Sequence, residues 1–262
     1  MKKNYETVIY EVKGDAGIIT FNRPESLNAM SPELLRDTKA AMAEAKNDST
    51  VRAVIWTGAG KKSFVAGGDI KLMEKMSVLE FKDFCWDIQT VTQAVRELRK
   101  PVIGAINGYA LGGGAEFACI CDWRIASENA KIGFPEPRVG LTNTSGVCQN
   151  LAKIVGLGRA MEMLCSGVHL DAQEAYRIGL FNRVVPQDVL LDEAMKMVEQ
   201  VAKCSPVAVR IAKETTNACI DLDMNSALFY EVEAITVARA SKDSDEGLLA
   251  FVEKRKPVWT GK

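Results

Sequence analysis

Two glutamates in this chain stand where an acid would do chemistry. Glu116 follows the run Gly112-Gly113-Gly114 and lies among Ala115, Phe117, Ala118 and Cys119. An ionisable group in such apolar company is desolvated when buried, which suits it to proton transfer near neutral pH. Glu136 lies between Pro135 and Pro137, in a stiff extended loop that by itself reads as surface. The glycine run ahead of Glu116 needs a reason, because three glycines at the start of a helix cost conformational entropy. One reading brings a ligand against free N–H groups at the positive end of the helix. The other is tight packing of helix on strand with no ligand. Two more glycine-rich junctions, SFVAGGDIKLM and KIGFPEPRVGLTNTSG, complete the set.

Much chemistry is excluded. The only histidine, His169, precedes a helix and reads as a surface or pre-cap residue. No GxSxG elbow is present, so a serine triad has no support, and a multi-histidine zinc site is impossible. No metal site is expected. TGAGKKS resembles a phosphate loop, but the motif requires glycine where Ile55 stands, and GYALGGGAEF lacks the third glycine of a dinucleotide fingerprint. The seven cysteines are odd in number and scattered, and they read as reduced core thiols.

The elements that must position these residues are legible from periodicity. TVIYEV and GIITFN flank Gly14-Asp15 as a hairpin. Ser31-Pro32-Glu33 starts a helix running to about Lys46. VRAVIWTG, VIGAIN and WRIAS read as buried strands, and a long helix spans Leu79 to Arg99, ended by Pro101. Alternation of this kind predicts an α/β fold with a mostly parallel sheet. From Gly158 the pattern turns helical, over 158–166, 171–178, 188–203, 206–220, 224–239 and 244–254, with FNRVV as a strand. We therefore divide the chain into a core, 1–200, and a helical module, 201–262, too thin to bury itself.

The 262 residues carry a formal net charge of −1, which offers no global attraction to nucleic acid or anionic membrane. No apolar run is long enough to span a bilayer. The opening MKKNYETVIYEVKGD lacks the apolar region of a secretion signal, so a cytoplasmic protein is expected.

The strings FNRPESLNAM, FVAGGDIKLM, KPVIGAINGYALGGGAEFACICDWRIAS, GFPEPRVGL and EGLLAFVEKRKP, in this order over nearly the whole chain, resemble the enoyl-CoA hydratase/isomerase family, the crotonases. The resemblance implies a crotonase-like core of ββα repeats with a C-terminal helical module. It implies an oxyanion hole from the backbone N–H groups of Gly68 and Gly113, with Glu116 and Glu136 as the catalytic pair. It places coenzyme A near Leu27, Ala66, Ile70 and Lys71, and, from the last helix, near Phe251 and Lys254. Coenzyme A is then part of the substrate, and no separate cofactor is expected. A homotrimer or a dimer of trimers is implied, with the tail reaching a neighbour. The reaction expected is reversible addition of water to the 2,3 double bond of an enoyl-CoA.

The sequence departs from the family at GLTNTSGVCQNL, where Asn143 stands near the usual proline and Thr144, Ser145, Cys148 and Gln149 follow. These polar groups imply either helix caps or a polar or cyclic acyl group, a displaced water or a different reaction. Glu25 stands where many relatives carry a basic residue, and Met73, Phe81, Phe84 and Trp86 are expected to shape the acyl pocket. The alternatives are an enoyl-CoA isomerase needing one carboxylate, another crotonase-type acyl-CoA hydratase, a hydrolase or a decarboxylase, and more remotely a non-catalytic acyl-CoA or RNA-binding relative.

Overall fold

Alternation of side chains decides the first elements. In the computed structural model, which describes Met1–Lys262, β1 (Lys2–Asn4), β2 (Val8–Lys13) and β3 (Ala16–Phe21) pair antiparallel in succession. Helix α1 (Pro32–Asn47) begins at Ser31, whose side chain accepts from the Leu34 N–H, with Pro32 in the first turn where no N–H is needed.

Three strand–strand–helix units follow. The first is β4 (Ala53–Gly58), β5 (Ser63–Ala66), the short α2 (Ile70–Met73) and the long α3 (Val78–Glu97). The second is β6 (Val102–Ile106), β7 (Tyr109–Leu111) and α4 (Gly113–Ile120). The third is β8 (Trp123–Ser127), β9 (Lys131–Gly133), a 3-10 turn at Glu136–Val139, and α5 (Val147–Val155). Then come α6 (Leu157–Ser166), β10 (His169–Asp171), α7 (Ala172–Arg177), β11 (Arg183–Val185) and α8 (Leu190–Ala202). The first strand of each unit enters a seven-stranded sheet, β1-β2-β3-β4-β6-β8-β11, parallel from β3 onward. The second enters a four-stranded sheet, β10-β9-β7-β5, with only β10 antiparallel.

The central strands are apolar throughout because both faces are covered. Val54 and Trp56 of β4 face the main core, where Phe21 and Phe117 lie 5.5 and 5.3 Å from the Trp56 ring. Ala53 and Ile55 point the other way, onto Leu190, Ala194 and Val198 of α8. Each fully buried side chain of this size contributes about 1.5–3 kcal/mol.

The tail is α9 (Pro206–Cys219), α10 (Met224–Arg239) and α11 (Lys242–Val252). Lys213 of α9 ties it to the core, donating to Asp122 Oδ2 at 2.8 Å and to the carbonyls of Val95 and Lys100 at 3.0 Å each. Val201, the last core-facing residue of α8, packs with Leu190, Ala194 and Val198. α10 buries only Ala227 and leaves Phe229, Val232 and Ile235 at 60–71% exposure.

The glycine-rich junctions contain strands to which the sequence reading gave no structure, β5, β7 and β9, three or four residues each and too short to show a period. His169 is exposed and precedes Asp171, the cap of α7, as expected, but it lies in the short strand β10. All seven cysteines are free, but three are exposed: Cys148 and Cys165 because the amphipathic helices α5 and α6 turn them outward, and Cys204 because it lies in the break between α8 and α9.

Candidate active site

The three consecutive glycines have three different reasons. Gly114 packs helix on strand: a Cβ there would lie 1.8 Å from the Val65 carbonyl oxygen of β5. Gly112 has φ 53° and ψ −125°, a backbone conformation an L side chain rarely adopts, and a Cβ there would lie 3.0 Å from Glu136 Oε1. Gly113 is the first residue of α4 and lines a cavity of about 260 Å³. The packing reading therefore holds at Gly114, while Gly113 lines a cavity open to a ligand.

Gly68 lines the same cavity from the loop after β5. Neither the Gly68 nor the Gly113 N–H donates to a protein acceptor. The loop carrying Gly68 is stitched to a neighbouring turn: the Met30 N–H donates to Gly67 O (2.8 Å) and the Asp69 N–H to Met30 O (2.9 Å). Arg23 completes the clamp, pairing with Asp69 at 3.0 Å and donating to Ala29 O at 2.6 Å. Asn28, fully buried at φ 59°, holds the turn through Ala59 O and Ser63 O. Arg23 and Asn28 were missed in the sequence, where nothing distinguishes them from ordinary turn residues. Their role depends on contacts 31 to 46 positions away.

Glu116, 3% exposed on α4, also lines the cavity. The Thr144 N–H donates to its Oε1 at 2.6 Å. The hydroxyls of Thr144 and Ser145 donate to its Oε2 at 2.8 and 3.0 Å. The apolar neighbours in sequence predicted an uncompensated acid, but the carboxylate leaves that company and meets three donors from another segment. Those hydroxyls do not cap α5, whose N-cap is Gly146 without a side-chain bond. The capping expectation is thus corrected. Ser145 sits in the left-handed region at φ 56° and is fully buried, a strained conformation for a non-glycine residue.

Glu136 begins the 3-10 turn and faces the cavity, contrary to its reading as surface. Burial pushes its carboxyl above the usual range, and the charge of Glu116 adds to this. Its own backbone N–H and the nearby Asn143 amide pull the other way. Glu136 Oε2 and Asn143 Nδ2 are both buried and make no hydrogen bond of ordinary geometry.

The apolar wall includes Met73, Phe81, Phe84 and Ile88. Trp86 does not join it; it is 61% exposed on the outer side of α3, which corrects that expectation. Ala66 and Ile70 line the cavity, and Leu27 O accepts from the Ala66 N–H at 3.1 Å. Lys71 is exposed on α2, and Glu25 is exposed in the Pro24–Ser26 turn. Phe251 and Lys254 lie exposed at the end of α11 and do not line this cavity. No group of three or more His, Cys, Asp or Glu could hold a metal ion. No helix is long and apolar enough to cross a membrane.

The site thus offers two free backbone donors, one at a helix N-terminus, facing a cavity with two carboxylates. That arrangement stabilises charge developing on an oxygen and moves protons beside it. The family model described as enoyl-CoA hydratase/isomerase matches residues 11–262. The chain is 41% identical to a short-chain-enoyl-CoA hydratase of Clostridium acetobutylicum over 249 residues, 95% of each chain. It is 39% identical to a crotonyl-CoA hydratase of Syntrophomonas wolfei, over 98% of this chain and 99% of that protein. Its structure matches that of an enoyl-CoA hydratase from Bacillus anthracis with a TM-score of 0.95 and 36% identity, covering 98% of this chain and 100% of the other.

Proposed function

The chain belongs to the enoyl-CoA hydratase/isomerase family, and from that membership and the geometry of the site we infer that it is an enoyl-CoA hydratase, adding water reversibly across the 2,3 double bond of an enoyl-CoA thioester. The observation that carries this reading is one cavity lined by Gly68, Gly113, Glu116 and Glu136.

The thioester oxygen accepts from the Gly68 and Gly113 N–H groups. As water attacks the β-carbon, negative charge moves onto that oxygen, so fixed donors stabilise the transition state more than the ground state. One such donor is worth about 3–4 kcal/mol. The water oxygen bonds to the β-carbon and its proton passes to Glu116. Glu136 gives its proton to the α-carbon, and each transfer accelerates the reaction by about 10²–10⁴-fold. At the end Glu116 is protonated and Glu136 ionised, so one proton must cross between them before the next turnover. The raised pKa of Glu136 supports its role as the acid. The three donors on Glu116 support its role in holding the water, since they fix both of its oxygens. An isomerase would need Glu136 alone.

Coenzyme A enters as part of the substrate. Leu27, Ala66, Ile70 and Lys71 flank the cavity mouth in this reading, and Phe251 and Lys254 meet the nucleotide from a neighbouring subunit. The exposed apolar face of α10 supports a homotrimer or a dimer of trimers, which sedimentation tests directly.

Loss of the enone absorbance of crotonyl-CoA tests the activity. Wild type is expected to add water, and Glu116→Gln and Glu136→Gln are each expected to fall by at least about 10²-fold. A wild-type protein that leaves crotonyl-CoA untouched would overturn the reading.

A further inference from the structure

The segment after the 3-10 turn reaches both glutamates at once. Gly140, at φ 73°, turns the chain back, and the Leu141 N–H donates to Glu136 O at 3.0 Å. This closes a small loop that brings the Asn143 amide within reach of the Glu136 carboxyl. The next two residues reach Glu116, where Thr144 and Ser145 place three donors. Glu136 has no comparable support: its Oε2 is buried and without a donor, and the buried Asn143 Nδ2 is without an acceptor. An unmet acceptor and an unmet donor, side by side on one closed loop, complement each other. We propose that Asn143 is a positioning residue for Glu136, its side-chain amide donating to the carboxylate that Glu136 becomes once it has passed its proton to the substrate.

The proposal rests on the hydratase reading and adds the step that reading leaves unsupported. Ionised Glu136 faces Glu116 from α4 across a cavity also lined by Arg138, from its own turn, and by Cys85, from α3. A buried carboxylate facing a second acid needs a donor at that moment, when the proton taken from water sits on Glu116. A small rotation of the Asn143 amide supplies one. While Glu136 is protonated the bond is not needed. The amide already lowers the Glu136 pKa against the effects of burial and of Glu116.

The test isolates Glu136 from water addition. Butyryl-CoA has no double bond to hydrate, but its α-proton exchanges into D₂O when Glu136 removes it and the Gly68 and Gly113 N–H groups hold the enolate. This exchange, followed by proton NMR, requires ionised Glu136 and therefore falls away on the acid side. In Asn143→Ala that acid limb is expected to move up by about one pH unit, the scale of one hydrogen bond to a charged group. In Asn143→Asp, where an isosteric acceptor replaces the donor, it should move further. Thr144→Val, which touches Glu116, should slow hydration and leave the exchange limb in place. If Asn143→Ala does not fold, Asn143→Ser loses the same reach and reads the same limb. An unmoved limb overturns the proposal, whether or not the rate falls, because a merely structural asparagine would alter rate without altering titration. Hydration of crotonyl-CoA by wild type is scored separately, so failure of the hydratase reading is distinguishable from failure of this one.

Discussion

Replacing Ser145 separates its two roles, backbone strain and hydrogen bonding. Ser145 is fully buried at φ 56°, and its hydroxyl donates to Glu116 Oε2 at 3.0 Å. Ser145→Ala deletes a hydrogen bond to a charged group, about 2 kcal/mol, while keeping a side chain in the left-handed region. For a chain of this size each 1 kcal/mol is worth about 2–4 °C, so Tm should fall by about 4–8 °C. Ser145→Gly loses the same bond but relieves the backbone, which recovers about 1 kcal/mol, or roughly 2–4 °C over the alanine variant. Catalysis should not distinguish the two. Both leave Glu116 Oε2 with the Thr144 hydroxyl alone, and both should lose about tenfold in kcat, equivalent to about 1.4 kcal/mol of transition-state stabilisation. Thermal melts and crotonyl-CoA absorbance measure the two quantities on the same samples. If the alanine variant melts at or above the glycine variant, the strain argument is wrong. If both keep wild-type kcat, the hydroxyl does not orient Glu116.

Three further outcomes are expected. Gly114→Ala should lose at least about 3 kcal/mol or fail to fold, because its Cβ meets the Val65 carbonyl at 1.8 Å; Gly113→Ala meets only the flexible Met30 Sδ at 2.7 Å and should fold, which solubility and Tm check. Lys213→Met strips the charge partner from Asp122 and removes a donor from the Val95 and Lys100 carbonyls, so a loss of about 3 kcal/mol, or about 6–12 °C in Tm, is expected. Glu136 has a raised pKa in the folded protein, so its contribution to stability is present at low pH and is lost as pH rises through that value. The Tm of Glu136→Gln should therefore gain on wild type as pH rises above the ordinary carboxylate range, and a constant difference would contradict the shift.

The sequence by itself determined the architecture and, through its likeness to a family, marked two candidate acids. The buried strands β4, β6 and β8 announce themselves as apolar runs, and capped amphipathic helices such as α1 and α3 show their 3.6-residue period. Those signals are local, since each depends on residues a few positions apart. The ordered motifs around Gly68, Gly113, Glu116 and Glu136 were readable for the same reason.

Only the tertiary structure decided what surrounds each acid. The apolar neighbours of Glu116 in sequence suggested desolvation, yet its carboxylate meets Thr144 and Ser145, 28 and 29 positions on. The prolines around Glu136 suggested a surface loop, yet folding turns it into the cavity. Trp86, on the same helix as Phe84, faces outward, because a helix with one buried stripe leaves its other side to solvent. The division of the three glycines between strain, packing and a free N–H likewise required β5 and the Glu136 turn to be in place. Local periodicity specifies which element a residue joins. The partners of a buried polar group are set by chain segments far away, which meet only when the sheets close around them.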